Sequence, residues 1–175
     1  MHRDSAAPTI RGDGVLLTGH RPEDAAVHVA GEDEETARRF GWWPARSTVE
    51  GALSAYRTWA EQWATDGTTR TFAVRDAATR ELVGGCELRI QPDETGEVSY
   101  WTHADKRGKG YARRALATLC EYAASIGVVS LEAHIAADNH ASRRVAEAAG
   151  FTVADTMTEK GELCVRYVRR RGDSR

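Results

Sequence analysis

Cysteine is scarce in this chain: three in 175 residues, at Cys86, Cys120 and Cys164, an odd number, widely spaced and without a Cys-x-x-Cys pair. That argues against a disulfide framework and a zinc site, so no metal is expected. The three read as small core residues, and Cys120 falls on the apolar stripe of a helical pattern, where a free thiol behaves as a buried hydrophobe. Excess positive charge is absent too. With 24 Lys and Arg against 26 Asp and Glu, the formal net charge is −2, and the chain lacks the global basic field of a nucleic-acid binder. No apolar run approaches a membrane span, and Met1-His2-Arg3-Asp4-Ser5 lacks the apolar core of a signal peptide. The expectation is a cytoplasmic protein with neither a nucleic-acid nor a membrane partner. There are no internal repeats and no long linkers, and the length suits one domain. We place it at 13–169, with mobile tails at 1–12 and 170–175.

Hydrophobic periodicity orders the elements. Val15-Leu16-Leu17 reads as a strand, and Pro22 with acidic Glu23 and Asp24 opens a helix near 22–30. The stretch from Gly31 to Pro44 is acidic, then aromatic, with a weak pattern. Val49, Leu53, Tyr56, Trp59, Ala60 and Trp63 keep a helical period over 48–65. A hairpin follows from Thr71–Val74 to Leu82–Ile90, and another turn leads into a strand at 97–103. Leu116, Leu119, Cys120, Ala123 and Ile126 predict an amphipathic helix stopped by Gly127. Leu131–Ala137 is a strand, Asn139 an N-cap for a helix at 140–149, and two strands near 151–158 and 162–169 close the chain. The fold class is α/β, in the order β-α-α-β-β-β-α-β-α-β-β.

Lys106-Arg107-Gly108-Lys109-Gly110-Tyr111-Ala112 lies between the strand at 97–103 and the helix after it. Gly108 and Gly110 permit a tight turn and close backbone approach, and the unpaired N–H groups of the helix start stand beside its positive dipole end. Lys106, Arg107, Lys109, Arg113 and Arg114 add cationic side chains suited to a ligand with several phosphates. A glycine-containing turn with a solvated basic surface is the alternative. The spacing matches neither a P-loop nor a dinucleotide fingerprint, because Arg113 stands where a third glycine belongs.

Arg107-x-x-Gly110-x-Ala112 resembles the acyl-CoA-binding signature of the GNAT superfamily of N-acetyltransferases. The block from Asn139 to Gly150-Phe151 resembles that superfamily's next helix, and with Gly96–Trp101 the chain is most similar to the RimJ/RimL-like branch, whose best-known members acetylate protein N-terminal amines. The resemblance covers roughly 13–169. It implies a GNAT-like central mixed, mostly antiparallel sheet flanked by helices, and acetyl transfer from acetyl-CoA to a primary amine, on a protein N-terminus or a small molecule such as a polyamine or an antibiotic. It assigns acetyl-CoA contacts to Trp101, Thr102 and His103 through their main chain, to Arg107, Gly108, Lys109, Gly110, Tyr111 and Ala112 in the loop, and to Asn139 and Ser142.

Acetyl transfer to an amine needs a base, and the departing thiolate benefits from a donor. Glu97 is the base candidate on the resemblance, with Glu87 and Glu94 as alternatives; a solvent-facing strand residue is the competing reading. Many members carry a Tyr seven residues after the Asn, but that position is Ala146 here, and the resemblance assigns the donor role to Ser142. The missing Tyr keeps open a CoA-binding sensor or structural module without turnover. Glu32–Glu35 with Phe40, Trp42 and Trp43 suit a cationic acceptor, so Glu34, Trp42 and Trp43 are the acceptor candidates. The same acids also read as a solvated face, and the tryptophans as core or as the contact of a homodimer.

Overall fold

The computed structural model describes residues 6–173, and the expectations for 1–5 and 174–175 lie outside the described residues. Eight strands form one sheet in the order β1-β2-β3-β4-β5-β6-β8-β7, where β1 is Ile10–Arg11, β2 Val15–Thr18, β3 Thr69–Asp76, β4 Leu82–Ile90, β5 Thr95–Thr102, β6 Ser130–Ala136, β7 Thr152–Glu159 and β8 Glu162–Arg170. Neighbours pair antiparallel except β5 and β6, which run parallel because the helix between them returns the chain to the same end. The helices are α1 (Asp24–Gly31), α2 (Glu34–Phe40), α3 (Val49–Ala64), α4 (Tyr111–Ser125) and α5 (His140–Ala148).

The expected order is present with two additions, β1 and α2. Ile10 pairs with Leu17 and packs on the core, while a Cβ on Gly12 would lie 1.9 Å from Thr118 Oγ1, so only glycine lets this segment lie against α4. A two-residue strand carries no period to read. Pairing also extends to Arg170, opposite Ser130, one residue beyond the expected domain end. Helix α2 buries only Thr36 and Ala37, too little for an apolar stripe. Its caps define it instead: Asp33 accepts from Thr36 N at 2.9 Å, and Gly41 ends it in the left-handed region at φ 83°.

Alternation along the strands sends side chains to two layers. Phe72, Cys86, Leu88, Val98 and Leu131 join the core beneath α4, which buries Ala115, Leu116, Leu119, Cys120 and Ala123. The three cysteines are buried as expected, and burial raises the Cys120 thiol to about 11. The other face is covered by α1, with Ala25 packed on Ala52 and Tyr56 of α3. A buried ion pair fastens this layer: both guanidinium nitrogens of Arg75 donate to Asp24, at 2.9 and 2.6 Å, and Arg75 Nε donates to Thr18 Oγ1 at 3.0 Å. Among the described residues no helix is long and apolar enough to cross a membrane, and no group of three or more His, Cys, Asp or Glu side chains could hold a metal ion.

Removing one partner of the pair leaves a buried, uncompensated charge. Asp24→Asn should therefore cost about 3–5 kcal/mol in urea unfolding, and replacing both partners (Asp24→Leu with Arg75→Met) should cost less than the single change.

Candidate active site

Strands β5 and β6 pair over only three positions, Thr95↔Ser130, Gly96↔Leu131 and Glu97↔Glu132. Beyond them β5 continues against β4 to Thr102, and β6 against β8 to Ala136. The main-chain edges of Val98–Thr102 and Ala133–Ala136 thus face each other across a widening gap with no ladder between them. This edge can accept an extended chain with amide groups as an added strand. At its far end, after a 3-10 turn at Ala104–Lys106, Gly108 (φ 74°) and Gly110 (φ 77°) bring the chain into α4, whose N-terminus has no side-chain cap. Arg114 N returns to Gly110 O, so the N–H groups of Tyr111, Ala112 and Arg113 remain for an anion. The two features together suit a ligand that carries phosphates at one end and an extended, amide-bearing arm.

The loop's cations divide. Lys109 and Arg113 are exposed and make no ion pair among the described residues. Lys106 reaches Glu81 at 3.2 Å, and Arg114 donates to Lys109 O and Gly110 O while lying 4.8 Å over the Tyr111 ring. Arg107 turns away from the loop: it donates to Asp33 at 2.6 and 3.0 Å and to Thr36 Oγ1 at 2.9 Å. Its guanidinium holds the Asp33 carboxyl well below the usual carboxylate range. Tyr111 presents its N–H while its hydroxyl donates to Asp76 at 2.7 Å. His103 is buried, its N–H donating to Val83 O and its ring accepting from Asp105 N. Thr102 stands opposite Gly84, at the last β4–β5 pair.

On the α1 face the gap opens into a cleft of about 640 Å³. Glu97 lines it, paired with Arg89 at 2.8 Å; Glu87, on the same face, accepts from Thr71 at 2.9 Å. Glu132, the parallel partner of Glu97, accepts from Arg166 at 2.7 Å, and His134 lies 3.3 Å from Glu132 and 3.5 Å from Glu159. His134 was missed in the sequence, although Glu132 and His134 repeat at every second position of an otherwise apolar strand. Trp42 lines the cleft, stacked on Phe40 with its Nε1 donating to Glu32 at 3.0 Å. Glu34 does not: it pairs with Arg38 at 2.5 Å in an adjoining depression that shares Arg38, Arg39 and Glu162 with the cleft. Trp43 lies outside the cleft lining, under the guanidinium of Arg38 at 4.8 Å. Trp101, assigned only main-chain contacts by the sequence, also lines the cleft with its ring, for which Gly85 leaves room: a Cβ there would meet Trp101 Nε1 at 2.4 Å.

The opposite face of β5 supplies hydroxyls. Asn139 Oδ1 caps α5 by accepting from Ser142 N at 3.2 Å. Ser142 Oγ donates to the Tyr100 hydroxyl at 2.9 Å, which itself donates to Ser142 O at 2.9 Å. Burial raises the Tyr100 phenol to about 12, against the lowering effect of its bond to Ser142. Tyr100 is a further residue without a signal in the sequence, because nothing local to β5 shows that its phenol meets α5.

A mixed sheet that parts beside an uncapped, glycine-led helix, with carboxylates along the opening, suits an extended anionic ligand at one end and a cation at the other. The sequence model of the Acetyltransferase (GNAT) domain matches residues 15–152, and the chain belongs to that family. It is 31% identical over 85 residues to the uncharacterized N-acetyltransferase YycN of Bacillus subtilis, a match covering 46% of this chain and only 54% of that protein's length. In fold it resembles RimL, the ribosomal L7/L12 alpha-N-protein acetyltransferase, solved with coenzyme A (TM-score 0.82, 18% identity, 95% of this chain and 100% of that one). It also resembles Mycobacterium smegmatis RimJ (TM-score 0.77, 19% identity, 93% and 86%) and the spermidine N-acetyltransferase of Vibrio cholerae, solved with CoA and spermine (TM-score 0.76, 18% identity, 90% and 95%).

The split among the loop cations is testable. Lys109→Ala and Arg113→Ala should each weaken coenzyme A binding a few-fold and flatten its salt dependence. Arg107→Ala should act mainly on α2, lowering the melting temperature and raising the acceptor KM more than the coenzyme A Kd.

Proposed function

We propose that the chain is an N-acetyltransferase that moves acetyl from acetyl-CoA directly to a primary amine in the cleft. The observation that carries this reading is the parting of β5 and β6, which opens one gap to both the uncapped helix and the Glu97 carboxylate. Bound acetyl-CoA supplies the activated acyl group and a thiolate leaving group. The amine must first lose a proton, because an ammonium has no lone pair; Glu97 takes it, oriented by Arg89. As the N–C bond forms, charge gathers on the carbonyl oxygen and is met by the unpaired main-chain N–H groups of the parted strand. As the C–S bond breaks, the second proton of the attacking nitrogen passes to the leaving thiolate, with Ser142 turning its hydroxyl from Tyr100 to relay it.

Ser142 and Ala146 stand one turn apart on the same face of α5. Ala146 is fully buried and offers no hydroxyl. Tyr100 brings a phenol from β5 to Ser142 instead, which favours catalysis over a CoA-binding module without turnover. The acceptor is a protein N-terminus or a small amine, and the cleft supports either class.

Glu97→Gln should lower turnover by about 100-fold or more, most at low pH where the amine is protonated, with coenzyme A affinity retained; an unchanged pH–rate profile removes Glu97 from the mechanism. Gly110→Asn tolerates the left-handed backbone yet adds a side chain at the anion position, so calorimetry should show lost acetyl-CoA binding without unfolding. Tyr100→Phe should reduce kcat in the same sense as Ser142→Ala, and the double variant should fall no further than the lower single one.

A further inference from the structure

Beside Trp101 the cleft ends in a cluster of rings. The His28 ring lies 4.7 Å from Trp101, and its Nδ1 is 2.9 Å from the Tyr56 hydroxyl. His20 packs 4.7 Å from Tyr56 and 4.6 Å from Trp59. His20, His28, Trp59 and Trp101 all line the cleft that holds Glu97. At the cluster's inner edge both ring nitrogens of His20 are shielded from solvent and have no hydrogen-bond partner among the described residues. The cluster is uncharged, because burial lowers His28 and pushes His20 down to about 3.

The charges nearest these rings are committed elsewhere. Asp24 is bound to Arg75, and Glu32 accepts from Trp42 Nε1 and Ser47 Oγ. Around the whole cleft five carboxylates (Glu32, Glu87, Glu97, Glu159, Glu162) face four cations (Arg38, Arg39, Arg89, Lys160). Arg38 and Arg39 are held by Glu34 and Asp138 outside this lining, so the carboxylates of the cleft outnumber the cations left to answer them, which suits an ammonium. A second ammonium among the rings would lose its water against apolar ring faces, with Glu32 at the edge of the cluster already accepting from Trp42 and Ser47, which is costly. Glu97 and Trp101 share a face of β5 four residues apart, about 13 Å at a strand's rise. The two ends of the cleft therefore ask for different chemistry: an amine at the carboxylates and a flat apolar group among the rings.

We propose that the cluster of His20, His28, Trp59 and Trp101 is an acceptor subsite for an uncharged aromatic ring, so that the preferred acceptor is a monoamine carrying an aryl group. This rests on the amine-acetylation reading and deepens it. The aryl amine comes either as a free small molecule or as the aromatic first residue of a peptide.

The test uses the full chain with 2-phenylethylamine, n-butylamine, spermidine and a peptide beginning with Phe. Thiol release should favour an aryl acceptor over n-butylamine and spermidine by about tenfold in kcat/KM, with the free amine against the Phe peptide distinguishing the sources. Trp59→Leu should collapse the aryl-to-butyl ratio toward unity, whereas Trp59→Phe, which keeps a ring, should preserve most of it. Calorimetry of 2-phenylethylamine binding, which needs no turnover, should show weaker binding by Trp59→Leu. Preference for spermidine, or a ratio unmoved in a Trp59→Leu protein of normal melting temperature, overturns the subsite. Aryl binding without acetylation of any amine supports the subsite and refutes the transfer reading instead.

Discussion

Two parallel strands that pair for three residues and then separate leave polar main chain without partners inside a sheet, and buried backbone groups left that way are costly. Neither strand can close the gap, because each is held on its other side by seven antiparallel pairs, β5 by β4 and β6 by β8. The opening is therefore a fixed property of the sheet. Its edges offer a row of donors and acceptors to an extended ligand, and its two faces carry different chemistry. The odd-numbered residues Glu97, Ser99 and Trp101 look into the acceptor cleft, while Tyr100 turns toward Ser142 on α5.

The cleft wall is assembled from distant segments by ion pairs whose value depends on burial. Arg75 and Asp24 fasten α1 to the sheet out of solvent, at 5% and 6% side-chain exposure, where losing one partner is severe. Arg107 and Asp33 tie the phosphate-side loop to the cap of α2 at about 38% exposure, where screening makes the bond weaker and more responsive to conditions. That second link places a residue of the loop in contact with Thr36, which lines the cleft. Two carboxylate–arginine–carboxylate triads, Glu87–Arg89–Glu97 and Glu132–Arg166–Asp155, meet at the point of parting, and Arg89 fixes the Glu97 carboxylate beside the like charge of Glu132.

The sequence by itself determined the elements whose period or punctuation is strong: α3 and α4 by their apolar stripes, α5 by Asn139 and Gly150, and the glycine loop by residues that alone reach the left-handed region cheaply. It determined the family through two local motifs at the right separation. It was silent on β1 and α2, because a two-residue strand and a seven-residue helix with two buried positions have no period to detect. Only the tertiary structure decided which way Arg107 points, that Glu34 and Trp43 lie behind Arg38 rather than in the cleft lining, that Tyr100 meets Ser142, and that His134 and the His20 ring cluster line the cleft. The physical reason is range. Propensity, capping and glycine conformation act within a few residues, whereas the meeting of Tyr100 with Ser142, or of Arg107 with Asp33, depends on how the sheet twists and parts between segments far apart in the chain.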